Sequence, residues 1–286
     1  MSLPNRKTQM SSLHEYTNEA AQLLPRLFNN WENPRVFLQC SSSMNPSPVF
    51  DDTPQALPLN ELPGMPRHEI PDGGHPTLLF GKINGYPALA TNGHRHLYEG
   101  VGVTPCVLPL CTAHALGAEA AIFVGAGLSL KNEIKPGTWM LLTDFINGHN
   151  CSPLDGNHIM LPEAFPDMTF ALSQHLNSEL MNALDNVGIS PRLGVYMSRP
   201  GSQFCTVSEA TSARNNGADI LGHDLVMEII MGHALGMQVS SFALAALNAP
   251  NVHSRPLSRK DYLDNCQFCI KDLLRGLRTG IKNFLE

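Results

Sequence analysis

Leu13, Tyr16, Ala20, Leu23, Leu24 and Leu27 recur at three- and four-residue spacing. That spacing predicts an amphipathic helix over 11–30, with Pro25 expected to kink or end it. The run R-V-F-L-Q-C over 35–40 reads as a short buried strand. Residues 43–75 carry many prolines and few periodic apolar positions, so a long loop is expected there, of the kind that often serves function. Extended runs at 78–83 and 86–91 flank an Asn-Gly pair and predict a hairpin. A helix over 103–116 should stop at Gly117. The apolar run 120–124 leads into G-A-G, and a further strand is expected over 139–146. Helical patterns follow at 170–187, 207–216, 225–235 and 258–285, the last with Ser258 as N-cap. Extended segments fall at 193–198, 220–222 and 239–247. Strands and helices alternate throughout, which predicts an α/β fold: one domain over 11–286, with a central mixed sheet flanked by helices. Residues 1–10 are expected to be disordered, and the chain holds no internal repeat.

Composition narrows the function classes. Of 286 residues, 43% are apolar and only 15% charged, against about 25% charged in an ordinary soluble domain. A low charged share fits a chain that covers part of its surface in an oligomer. The net charge of −6, without a basic run, argues against binding nucleic acid through a broad electrostatic patch. An anionic substrate would need a local positive pocket. Seven scattered cysteines, at 40, 106, 111, 151, 205, 266 and 269, read as free thiols in a reducing compartment. The start of the chain has no apolar core of a signal peptide, and no 18-residue apolar stretch predicts a membrane span. A cytoplasmic location is therefore expected. Cys266 and Cys269 form a lone C-x-x-C inside a predicted helix and read as core thiols rather than a zinc or redox pair.

The densest chemistry lies in N-G-H-R-H-L-Y-E-G, residues 92–100, just after a strand. His94, Arg95, His96, Tyr98 and Glu99 crowd a strand exit, where α/β proteins place ligands. A solvated loop would carry the same local composition. Other segments weigh against that plainer view. G-H-P-T-L-L-F-G (74–81), L-G-A-E-A-A-I-F-V-G-A-G (116–127), D-F-I-N (144–147), F-P-D-M (165–168), G-S-Q-F-C-T (201–206) and G-A-D-I-L-G-H-D-L-V-M-E (217–228) follow in order. This series, collinear from about residue 35 to 247, resembles the trimeric class of purine nucleoside phosphorylases.

The resemblance implies a nucleoside phosphorylase-like fold and a homotrimer with sites near subunit contacts. The reaction it implies is attack of phosphate on C1′ of a purine ribonucleoside with departure of the purine, through a ribosyl-cation-like transition state. It implies phosphate as co-substrate, no cofactor and no metal. Carried over by position, Ser41, His75 and Ala126 belong to the phosphate pocket. His94 stands where the family has its phosphate-binding arginine, and Asp224 where it has a phosphate-contacting serine. His96 and Tyr98 are retained ribose-side residues, and His223 replaces a methionine there. Phe204 is the retained aromatic shelf for the purine, Cys205 replaces its glutamate, and Asn248 neighbours the position of its asparagine. No histidine matches the family's late one between 254 and 262. Around Ser41 the chain reads C-S-S-S-M, without the glycines that let backbone N–H groups approach an anion.

Each hydrogen bond to a charged group contributes roughly 1.5–3 kcal/mol. Loss of the arginine and the glutamate therefore costs about 3–6 kcal/mol, roughly a hundred- to ten-thousandfold in rate. Asp224 would add repulsion against a phosphate dianion. Activity is expected to be weak or altered, the alternative being a non-catalytic nucleoside- or small-ligand-binding homologue. Hydrolysis, with Asp224 aligning a water, is a third course. His94 and His96 lie two apart on one side of an extended segment, so with His75, His223 or Asp224 they could also ligate a metal; a remodelled small-molecule pocket is the preferred reading. Ser41, His94, His96, Tyr98, Ala126, Phe204, Cys205, His223 and Asp224 are expected to line one cleft. The remaining histidines (14, 68, 114, 149, 158, 175, 233 and 253) are read as surface or satisfied core positions.

Overall fold

The computed structural model describes residues 12–68, 74–157, 160–252 and 255–286. The expectation for residues 1–10, and those for His158 and His253, lie outside the described residues.

Among the described residues six helices and nine strands alternate, all six helices and eight of the strands as predicted. They are α1 (Ser12–Leu27), β1 (Val36–Cys40), β2 (Gln55–Pro58), β3 (Thr77–Ile83), β4 (Tyr86–Asn92), α2 (Thr104–Ala115), β5 (Ala120–Ser129), β6 (Trp139–Asn147), α3 (Gln174–Asn186), β7 (Arg192–Ser198), α4 (Val207–Asn215), β8 (Ile220–Gly222), α5 (Val226–Ala234), β9 (Gln238–Asn248) and α6 (Arg259–Leu285). The strands form one mixed sheet in the order β2-β3-β4-β1-β5-β8-β7-β6-β9, and β9 also pairs with β5. The second half of the sheet thus closes on itself. β1 and β5 sit between neighbours on both sides and are buried along their whole length, which is why their sequences run apolar without alternation.

Helices α1, α2 and α5 contribute to one apolar cluster and α3 and α6 to another, so both faces of the sheet are covered. On α6, Gly276 and Gly280 lie one turn apart. A Cβ at either would strike Leu184 or Leu180 of α3, so these glycines permit the two helices to pack closely. The β3–β4 turn has Asn84 and Gly85 both at positive φ, as an Asn-Gly hairpin requires. Asp51 accepts both turn N–H groups, at 2.8 and 2.7 Å, and pairs with Arg278 of α6 at 2.7 Å.

Three boundaries differ from the sequence reading. The 43–75 loop contains β2, an edge strand ending in Pro58 that pairs antiparallel with β3; an edge is where a strand tolerates proline. The third helix begins at Gln174 instead of 170, because Ser173 caps it by accepting from the Leu176 N–H at 3.1 Å. β5 runs on through G-A-G to Ser129. Its glycines leave room for chain packed on it: a Cβ on Gly125 would meet the Asp224 and Leu225 side chains, and one on Gly127 would meet β8. α1 continues two residues past Pro25 and then stops, close to the predicted break. All seven cysteines are free, and both members of the C-x-x-C sit on α6, Cys266 buried and Cys269 half-buried.

Candidate functional site

The ends of β1, β4, β5, β7 and β8 bring the predicted residues to one side of the sheet, at its strand exits. Ser41 follows β1, where its backbone N–H donates to Val124 O at 2.9 Å. Gly93, at φ +82°, turns the chain out of β4, and its N–H donates to Cys40 O. Beyond it, His94, His96 and Tyr98 form a stack. Ring centroids are 4.2 Å apart for His94–His96 and 4.6 Å for His96–Tyr98, and His223 meets Tyr98 edge-on at 6.1 Å. Arg95 points away from that stack. It donates to Glu99 and to the carbonyls of Pro66 and His68, each at 2.8 Å. It therefore ties down a neighbouring loop and does not join the stack, as alternation along an extended segment predicts.

Asp224 lies at the centre. Ser41 Oγ donates to one carboxylate oxygen at 2.8 Å, and the buried Tyr196 hydroxyl donates to the other. Tyr196 Oη is also 3.2 Å from the Ala126 carbonyl. Gly222 lies directly against Tyr196 Oη, where any Cβ would collide. The chain after Asp224 is strained: Leu225 has φ +71°, and the Val226 N–H donates back to Asp224 O at 2.9 Å. This is a γ-turn with positive φ, a rare and costly conformation for a branched residue. The buried Leu225 side chain, packed over Gly125, holds it in place.

Electrostatics under the stack are unusual. Burial, assisted by His96, pushes His94 down to about 4, so it is a neutral imidazole at ordinary pH. Glu228 Oε1 stands 3.9 Å from His94 Nε2 and accepts from Gln39 at 2.8 Å, and burial raises its carboxyl. Burial also works against the Glu99 charge, but contacts with His96 and Arg95 outweigh it and hold that carboxyl at about 2. His149, close to His223 and 2.8 Å from Ser198 Oγ, is likewise pushed down to about 4, mainly by burial.

Three adjoining hollows share His223. The largest, about 290 Å³, is lined by Phe204, Cys205, Arg199, Arg259, Tyr262 and the β5–β8 backbone around Gly127 and Gly222. The second, about 50 Å³, lies among Ser41–Ser43, Ala126, His96, Tyr98 and Asp224. The third, about 10 Å³, reaches His94, His149 and Glu228. Arg199 is held at the large hollow by Glu209, at 2.7 Å; that same carboxylate accepts from the Thr206 N–H and so caps α4. The guanidinium of Arg259 lies 5.2 Å from the Tyr262 ring centroid.

Nine of the predicted residues (Ser41, His94, His96, Tyr98, Ala126, Phe204, Cys205, His223 and Asp224) line this continuous cleft. Two do not. His75 sits at the start of β3, two strands away from β1, and lines a separate hollow with Asn60, Arg67 and His68. Asn248 ends β9 opposite Ser129 and is absent from the lining of the large hollow. Sequence reasoning missed Tyr196, Arg199, Arg259, Tyr262 and His149. Tyr196 looks like any inward residue of a strand. Arg259 and Tyr262 come from the first turn of the last helix, in the stretch where a family histidine was sought. Gln39 and Glu228 did leave a signal, each being one polar residue in an otherwise apolar run.

Residues 48–277 match the model of the phosphorylase superfamily. The chain is 31% identical to the purine nucleoside phosphorylase of Rattus norvegicus over 219 residues, covering 74% of this chain and 75% of the relative. It is 27% identical to purine nucleoside phosphorylase 1 of Geobacillus stearothermophilus over 271 residues, covering 94% and 97%.

This chain belongs to the purine nucleoside phosphorylase family.

Its fold superposes on that of the Schistosoma mansoni purine nucleoside phosphorylase solved in complex with inosine, with a TM-score of 0.82 over 94% of this chain and 96% of the other, at 21% identity. A second Schistosoma mansoni structure, isoform 2 in complex with cytosine and ribose-1-phosphate, gives 0.84 at 20% identity. Family membership accounts for the collinear motifs. Among the described residues, no helix is long and apolar enough to cross a membrane.

Proposed function

We propose that this protein is a purine nucleoside phosphorylase of weak or altered activity, cleaving the N-glycosidic bond of a purine ribonucleoside with phosphate as co-substrate. The observation that carries the reading is the continuity of the three hollows through His223. The purine takes the large hollow, against Phe204 and Tyr262, where aromatic faces stack a base. Arg199 and Cys205 face its edge. The ribose takes the junction, bounded by Tyr98, His96 and His223, which fixes C1′ between base and nucleophile. Phosphate enters beside Ser41–Ser43 and Ala126. There it meets Asp224, whose charge opposes it, and Arg259, which lines the same hollow, but finds no guanidinium in the place of His94. The low charged share and the exposed Phe165 and Phe170 support a homotrimer in which these faces are covered, and the reduced cysteines support a cytoplasmic location.

The test is release of base from a purine nucleoside panel with and without phosphate. Phosphate-dependent release is expected, roughly a hundred- to ten-thousandfold slower than in members that keep the arginine and the glutamate. Asp224→Ser should raise it. No turnover of any purine nucleoside would remove the reading, and release at equal rate without phosphate would point to hydrolysis aligned by Asp224. One observation favours a second reading, a non-catalytic binding protein: Ser41, the expected phosphate donor, already donates to Asp224. Calorimetry showing nucleoside bound but not consumed would establish it.

A further inference from the structure

The His94, His96 and Asp224 side chains come from two loops far apart in the chain. One donor atom from each lies within 4.8 Å of the others. His94 is 1% exposed, and neither of its ring nitrogens has a hydrogen-bond partner. His96 Nδ1 stands 3.4 Å from Glu99 Oε1, a carboxylate that orients the ring. Buried polar atoms in native proteins are nearly always satisfied, and those that are not call for an explanation such as an ion. The carboxylate of the set is already oriented, since Ser41 and Tyr196 each donate to one of its oxygens. Outer hydrogen bonds of that kind fix a ligating carboxylate.

We infer that His94, His96 and Asp224 bind one divalent transition-metal ion of the zinc class. Two imidazoles and one carboxylate suit zinc and its neighbours in the first row, whereas calcium and magnesium favour all-oxygen shells. Three protein ligands leave at least one coordination position open. The hollow of about 50 Å³ beside Ser41 and Tyr98 borders two of the three ligands, so the open position faces the cleft. A dication here changes the local charge from −1 to +1 and so provides a cationic partner for an anion where the family has arginine. The site depends on these three side chains alone, and it stands whether or not a nucleoside is cleaved.

The test uses the full chain, stripped with a chelator and titrated with Zn2+ by calorimetry and with Co2+ by visible absorption, in phosphate-free buffer without nucleoside. One ion per chain and ligand-field bands of low-symmetry Co2+ are expected. Asp224→Asn and His96→Gln should each weaken binding by more than about a hundredfold, since loss of a group that merely hydrogen-bonds a ligand already costs about ten- to a hundredfold. His175→Gln, an exposed position on α3, should leave it unchanged. Absence of binding by the unaltered chain overturns the proposal, as does equal affinity in the Asp224→Asn and His96→Gln proteins. Asp224→Asn is nearly isosteric: its amide oxygen can accept from Tyr196 while its NH2 donates to Ser41 Oγ, so it reports on the site even if the His96 variant fails to fold.

Discussion

The two ends of the cleft are built on opposite terms. The base end is roomy, about 290 Å³, walled by Phe204 and Tyr262, and its nearest full charges are the cations Arg199 and Arg259. The anion end is about 50 Å³, and its lining charges are the carboxylate of Asp224 and, shared with the base end, the guanidinium of Arg259. Stacking on an aromatic wall tolerates changes at the rim, because any base offers a face. An anion cradle has no such tolerance, because a single inverted charge reverses its preference. The base end can therefore vary at its rim, while the anion end answers to the sign of the Asp224 charge.

That contrast can be broken most strongly by pH, which should act on the anion end alone. Folded His94 takes a proton only near 4, against 6.5 for an unperturbed imidazole. The unfolded chain therefore binds more protons between those values, so stability present above pH 6.5 is lost as pH falls towards 4. The loss from this group is about 3 kcal/mol, partly offset by Glu228, whose raised carboxyl acts in the opposite sense. Urea unfolding of chelator-treated protein across this range should show the slope, and His94→Gln should remove a large part of it, the remainder belonging mainly to His149, which is likewise pushed down to about 4; an unchanged slope would assign it elsewhere. Next in size is Tyr196→Phe, which removes a hydroxyl bonded to a charged acceptor. Roughly 2 kcal/mol of stability should be lost, while affinity for hypoxanthine, read by calorimetry, stays the same. Equal loss of both would mean that the two ends are not separate. The smallest effect is expected at the base end. Phe204→Ala should weaken hypoxanthine binding by about 1 kcal/mol or more, roughly fivefold, with little change in the melting temperature because Phe204 is only half-buried.

Much of this molecule was legible in its sequence. Each predicted helix and strand is present, because long apolar runs and strong punctuation such as Asn84-Gly85, Gly117 and Ser258 leave little choice. Nine cleft residues were placed from collinear motifs. What escaped notice depended on pairing at a distance. β2 hides among prolines and exists only because β3 offers it an edge. Tyr196 acquires its role by meeting Asp224, 28 residues on. His75, placed in the cleft by position alone, falls beside Arg67 and His68 instead. Arg259 and Tyr262 belong to a helix that sequence patterning reads only as core packing.

The γ-turn at Leu225 joins two things usually left independent. Asp224 and the first residue of α5 are linked through a single contorted peptide without slack, its side chain wedged over Gly125. Any incoming group that pulls on the carboxylate must also tug the start of α5, and Glu228 rides on that helix one turn along, against Gln39 and His94. The floor of the cleft therefore ties the position of that carboxylate to the position of α5 through a single residue.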